Sequence, residues 1–176
     1  MIDEAALEIL FAKQAITEAL YEYCRAMDRI DEAATLAVWH PDATCNYSST
    51  EGAPDVLFRD YLVGSTRARA SFANHSHQIT NVLTHITGER AVSEAYFTAS
   101  LQSRPEAGMV TEHLWRGRYL DRWVRYEGRW VISRRQVVFD SYTPIVFDAA
   151  HHEGKPLELS LRDGGDPSYR HFAETG

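Results

Sequence analysis

The chain has 176 residues, 44% hydrophobic and 24% charged, with a formal net charge of −7 and a pI near 5.6. That length suits one domain with a real core. The acidic balance, with no Lys/Arg-rich stripe to neutralise phosphates, argues against a nucleic-acid binder.

In chain order, Ile9, Ile16, Leu20, Tyr23 and Met27 recur at helical spacing between Ala5 and Met27, with no Gly or Pro among them. This predicts one long amphipathic helix. Asp28 falls at its C-terminal end, where the helix dipole disfavours an anion. Asp31 is placed to cap a second short helix running through Trp39 and ended by Pro41. Ala43 to Tyr47 reads as a short strand and Asp55 to about Ala73 as a third helix, with Val56, Tyr61, Leu62 and Phe72 as core contacts. Beyond it, Gln78–Thr87, Ala91–Ser103, Met109–Tyr126 and Trp130–Tyr142 are rich in Val, Ile, Thr, Tyr and Trp. Turn-forming separators such as Glu127-Gly128 make them an antiparallel meander. Helices followed by a run of long strands predict an α+β domain, with three N-terminal helices packed on a curved antiparallel sheet. That domain takes residues 1–147. The segment 148–176 is a polar, turn-rich extension, either exposed or wrapped over a neighbour.

Cys24 and Cys45 stand in no zinc-type spacing and are expected to pack as small buried hydrophobes. The acidic N-terminus lacks the pattern of a signal peptide, and no apolar run approaches the ~20 residues that cross a bilayer, so a cytoplasmic protein without a membrane partner is expected.

Two segments carry candidate chemistry: Tyr23-Cys-Arg-Ala-Met-Asp28 and His75-Ser-His77-Gln-Ile-Thr-Asn81. Together they hold a phenol, a carboxylate and an imidazole. A buried Asp can orient and polarise a His, which then takes a proton near neutral pH. Each residue also has a plainer role. His77 suits a strand-start histidine bonded to a backbone carbonyl, and Tyr23 suits a core aromatic. Arg134 and Arg135 must face opposite sides of a strand, so at most one points inward. His75 and His77, two apart, would share a side and so could hold a metal, but one exposed and one buried after a bend is the preferred expectation. No Gly-rich loop opens a helix after a strand to seat a nucleotide. Neither metal nor organic cofactor is therefore expected. Four Trp, nine Tyr and a long sheet exceed what three helices cover, so one sheet face is expected to be buried between subunits.

The pattern Tyr23-x-x-x-x-Asp28 at a helix end, the segment closing with Trp39-His40-Pro41-Asp42-Ala43, and His77-x-x-Thr80-Asn81 resemble the SnoaL-like group of the nuclear transport factor 2-like superfamily. Gly117-Arg-Tyr-Leu-Asp121 to Gly128-Arg-Trp130-Val-Ile-Ser-Arg-Arg135 is similar as well, and the resemblance spans about Ala12 to Pro144. It implies a cone-shaped, cystatin-like α+β barrel. Within the superfamily the chain is most similar to the scytalone dehydratase-like branch of dehydratases and dehydrochlorinases. Those enzymes use an Asp–His dyad for proton abstraction and elimination, without metal or organic cofactor. Carried over by position, the Asp is Asp28 and the His is His77, with Tyr23 and Arg135 as assisting groups. The resemblance also implies a homo-oligomer, trimer or dimer. The chain departs from the branch in its C-terminal extension and in its second histidine, His75.

The expected function is a cofactor-independent lyase or isomerase acting on a small hydrophobic, ring-shaped molecule. Two alternatives stand beside it: a non-catalytic small subunit of a ring-hydroxylating dioxygenase, and a ligand-binding or assembly domain of the same fold.

Overall fold

Helix α1 (Glu4–Asp28) opens on Asp3, whose carboxylate accepts from the amides of Ala5 and Ala6 at 3.1 and 3.3 Å. Its inner face is Ile16, Leu20, Tyr23 and Met27, spaced 4, 3 and 4 residues apart. The first turns stand clear of the core, with Ile9, Leu10 and Phe11 exposed. The computed structural model describes residues 3–48, 50, 52–152, 155 and 158–174. After α1 the chain reverses through Ile30, in the left-handed region at φ 55°, and Asp31 caps helix α2 (Glu32–Ala37) by accepting from Ala34 at 2.9 Å.

Helix α2 stops at Ala37, two residues short of the expected Trp39. Trp39 opens strand β1 (Trp39–Asn46) instead, stacked flat on Phe58 with ring centroids 3.5 Å apart. Pro41 acts upstream of itself here, because the residue before a proline is pushed out of the helical region. The expected helix from Asp55 is also shorter. Val56–Leu57 form β2 against Thr44 and Cys45, and α3 spans Phe58–Ala70. Asp55 stays outside the helix, held by the Arg134 guanidinium at 2.6 and 3.0 Å.

Four long strands follow: β3 (Asn74–Thr87), β4 (Arg90–Gln102), β5 (Met109–Tyr126) and β6 (Arg129–Asp148). The sheet order is β2-β1-β6-β5-β4-β3, antiparallel throughout except for the parallel β1–β6 pair, and it is unclosed, with β2 and β3 as edges. Strand β3 begins four residues earlier than expected, so His75 and His77 lie inside it. Strand β6 runs six residues further, through Pro144, where β5 lies on one side and β1 has already ended on the other. A proline there interrupts little of the ladder.

Curvature comes from register shifts at Thr80/Val82, Arg116/Gly117 and Arg122/Trp123. Asn81 sits in the first of these at φ 42°. Gly117 is needed at the second. A Cβ there would run into the Val138 carbonyl oxygen and lie 2.9 Å from the Phe97 ring, so only glycine lets Phe97 lie across the strand.

After β6 a short 3₁₀ turn (Ala149–His152) and helix α4 (Pro167–Ala173) follow. This extension returns to its own domain. Asp166 accepts from Arg29 Nη2 at 3.2 Å, and the Arg25 guanidinium lies 4.5 Å from the Tyr169 ring centroid, which fastens the tail to the C-terminal half of α1. Among the described residues no helix is long and apolar enough to cross a membrane.

Candidate active site

The concave face of the sheet and helices α1 and α3 enclose a cavity of about 200 Å³. Its walls follow from simple periodicities. Tyr23 and Met27 come from α1 at i and i+4, and Tyr61, Ser65 and Arg69 from α3 at i, i+4 and i+8. Phe97, Ala99 and Leu101 alternate along β4, with Val137 and Phe139 doing the same on β6. Tyr47, Trp115, Tyr119 and His77 complete the lining. Ala99 pairs with His77 on one side and Trp115 on the other, and its small side chain leaves room between them.

Asp28 meets His77, which lines this cavity. His77 Nδ1 lies 2.5 Å from Asp28 Oδ1, and the backbone N–H of His77 donates to Asp28 Oδ2 at 3.0 Å. One carboxylate thus holds both the ring and the backbone of one residue. The end of α1, unfavourable for an isolated anion, is occupied by an Asp whose two oxygens are both bonded. The His77 side chain is 9% exposed and the Asp28 side chain 18%.

Tyr23 is fully buried, and its hydroxyl shares a 2.8 Å hydrogen bond with that of Tyr47, whose ring stacks on Tyr61 at 4.4 Å. Burial pushes the Tyr23, Tyr47 and Tyr119 phenols well above their usual range. They are therefore neutral donors at any working pH. Cys24 and Cys45 are both buried and free, and burial pushes both thiols up to about 12.

Arg135 takes a different position from Tyr23. It points inward, as strand alternation allows, while Arg134 faces out to Asp55. It does not line the cavity. Its guanidinium, 0% exposed, makes two 2.7 Å bonds to Asp121 and lies 3.9, 4.4 and 5.2 Å from the ring centroids of Tyr119, Tyr23 and Trp39. For Arg135, burial is outweighed by Asp121 and the neighbouring phenols, and the guanidinium is held well above its usual range. Burial raises the Asp121 carboxyl and Arg135 opposes it. The two bonds keep both groups ionised at neutral pH. Arg135 therefore stiffens the tyrosine walls from behind.

His75 is separated from His77 in its contacts. It is 5% exposed, and Arg162 Nη2 from the tail lies 3.4 Å from each of its ring nitrogens. Burial, then Arg162, His77 and Arg69, lower it to about 4. Among the described residues no three of His, Cys, Asp or Glu converge as metal ligands. His113 bonds the Tyr142 hydroxyl at 2.7 Å, away from the cavity lining.

With this geometry in place, comparisons with known proteins assign the chain. The SnoaL-like domain family matches residues 8–136, most of the chain. The chain belongs to the SnoaL-like family. Solved structures share its fold at low identity. A protein provisionally assigned as a scytalone dehydratase, from Novosphingobium aromaticivorans, is 20% identical with a TM-score of 0.67, covering 89% of this chain and 100% of its own. A hexachlorocyclohexane dehydrochlorinase of type 3 from Novosphingobium barchaimii is 15% identical with a TM-score of 0.67, covering 88% and 99%. A protein provisionally assigned as an aromatic ring hydroxylase, also from N. aromaticivorans, is 22% identical with a TM-score of 0.65, covering 77% and 94%. No curated protein matches.

Sequence reasoning about this SnoaL-like chain missed two charged residues. Asp121 stands in the sequence only as the end of the Gly117-Arg-Tyr-Leu-Asp121 motif, and Arg69 lies with Arg67 in the last turn of α3. The four-residue spacing of Tyr61, Ser65 and Arg69 was the available signal, since it places the arginine on the same face as an aromatic.

Proposed function

We propose that this SnoaL-like protein is a lyase of the dehydratase or dehydrohalogenase type, or an isomerase, acting on a small cyclic molecule in the cavity. The Asp28–His77 contact at the cavity wall carries this reading. With Nδ1–H donated to Asp28, the tautomer is fixed and Nε2 is the nitrogen left to act on a bound molecule. Nε2 takes a proton from carbon, the C–H electrons form the new double bond, and the leaving group departs from the adjacent carbon with its bonding pair. Asp28 stabilises the imidazolium that results. In the isomerase variant the proton returns to another carbon. Tyr47 and Tyr23 form a donor pair able to bond a developing oxyanion or a departing hydroxyl.

The cavity volume bounds the substrate. About 200 Å³ is below the ~300–1,000 Å³ of sites for drug-sized ligands, so one ring suits it better than a fused polycycle. The reaction as drawn uses only side chains of this chain, so we propose that it needs no added metal or nucleotide. The test is a panel of cyclic alcohols, halides and ketones incubated with chelator-treated protein, with product alkene or isomer followed by chromatography. Turnover that survives the chelator supports the reading. Turnover that stops and returns with Fe²⁺ or Zn²⁺ contradicts it.

The neighbour assigned as a ring hydroxylase motivates a second reading, a non-catalytic small subunit of a ring-hydroxylating dioxygenase. Such a subunit would co-purify with an iron-bearing large subunit and would not depend on His77. We also propose a homo-oligomer. Leu83, Val92, Tyr96 and Ile145 of the long strands are exposed on one face of the sheet, apolar surface that a second copy would cover. A stable monomer by light scattering at micromolar concentration would contradict it.

A further inference from the structure

Arg69 lines the cavity, is 6% exposed, and has no carboxylate partner among the described residues. A guanidinium carries five N–H donors, and a buried one is normally satisfied by a carboxylate or by several carbonyls. Here Nη2 donates to Thr66 Oγ1 at 3.2 Å, Nη1 faces the sulfur of Met27, and Nε has no acceptor. A thioether is a weak acceptor. The Arg69 cation is thus desolvated, under-bonded and placed on the wall of a cavity.

One nearby carboxylate, Asp28, faces two guanidiniums, Arg69 and Arg162, in this corner. Asp28, next in sequence to Met27, has both carboxylate oxygens engaged by His77. The tail adds a second cation. Arg162 donates to the carbonyls of Phe72 and Arg69, the latter at 2.7 Å, which fixes the last turn of α3 from outside. Its positive charge and that of Arg69 oppose each other. The corner holds an excess of positive charge in a space walled by Tyr61, Phe97, Trp115 and Leu101.

We propose that Arg69 makes this corner a carboxylate-binding subsite, so that the cavity takes a one-ring apolar acid with its carboxylate on Arg69 and its ring against the aromatic walls. A planar guanidinium matches a carboxylate through paired N–H bonds, and a dry site strengthens them. Bound in this way, a substrate would present its ring to His77, which lines the same cavity. The inference rests on the elimination reading for its consequence but not for its test, which measures binding and not turnover.

The probes are benzoate and its neutral isosteres benzamide and benzyl alcohol, titrated into the full chain by calorimetry or by Trp fluorescence. Benzoate is expected to bind about 10- to 100-fold more tightly than benzamide, the range for hydrogen bonds to a charged group. Arg69→Met, which keeps the length of the side chain, should erase the preference, and Arg69→Lys should retain part of it. Equal binding of benzoate and benzamide by the wild-type protein, or binding of neither, overturns the proposal without any variant having to fold. A preference that survives Arg69→Met also overturns it, and leaves the elimination reading standing. Conversely, turnover that survives His77→Ala sinks the elimination reading and leaves the subsite intact.

Discussion

Two aspartates in this fold, Asp121 and Asp28, each hold one basic side chain, and they do so for opposite ends. Asp121 and Arg135 are both 0% exposed at the side chain, joined by two 2.7 Å bonds and covered by three aromatic rings. Asp28 and His77 are 18% and 9% exposed, with His77 on the cavity wall, and are joined by one side-chain contact and one backbone bond. Neither member of the first pair lines the cavity. The second keeps one ring nitrogen outside its own bonding. A sealed pair can only be broken at a cost in stability, whereas a pair with a spare nitrogen can do chemistry.

If that contrast holds, Asp121→Ala gives the largest effect on folding. It leaves a buried guanidinium unpaired, which costs about 3–5 kcal/mol. For a chain of this size that corresponds to a fall in Tm of roughly 6–20 °C, and Asp28→Asn should move Tm far less. Replacing both members, Asp121→Leu with Arg135→Met, should recover part of the loss, because an apolar pair carries no desolvation penalty. Equal Tm losses at Asp121 and Asp28 would abolish the contrast.

Asp28→Asn reads the other side. The amide can still accept from the His77 amide but cannot stabilise an imidazolium, so turnover on whichever substrate of the panel reacts should fall about 10²-fold or more. Tyr23→Phe is smaller. It removes a hydroxyl from the Tyr23–Tyr47 bond, at about 0.5–1.5 kcal/mol of stability read as a shift of urea midpoint. If the phenol pair also bonds the substrate, turnover falls further than that shift explains.

His75 gives an effect confined to one pH window. Its folded pKa is depressed to about 4 against 6.5 unfolded, chiefly by burial and then by Arg162. The unfolded chain therefore binds the proton first as pH falls. Stability is fully present above pH 6.5 and is lost progressively down to about pH 4. His75→Asn should flatten this stretch of the urea-midpoint profile relative to the wild-type chain. An unchanged slope would show that His75 is not buried as a neutral group.

Much of the architecture is legible in the sequence because it rests on local periodicity. The spacing of Ile16, Leu20, Tyr23 and Met27 gives α1 its inner face, and the turns at Gly88, Gly108 and Gly128 punctuate the meander. The boundaries that differ are those decided by partners remote in sequence. Leu57 joins β2 because Thr44 lies beside it, and Trp39 joins β1 because Phe58 stacks on it. The candidate site divides the same way. Asp28 and His77 stand out as residue types in suggestive places, but their contact crosses 49 positions of chain. Arg69 and Asp121 look like ordinary surface charges until the curvature of the sheet and the packing of α3 enclose them. The tail's return to α1 through Asp166 rests on a pairing with Arg29 that no spacing announces.

The most direct test of the central claim is turnover by His77→Ala, measured beside the wild-type protein with chelator present and with Tm recorded for both. A loss of about 10²–10⁴-fold, the range for a general base, with Tm near the wild-type value is the predicted result. Turnover retained at the wild-type level would contradict the assignment of His77 as the base.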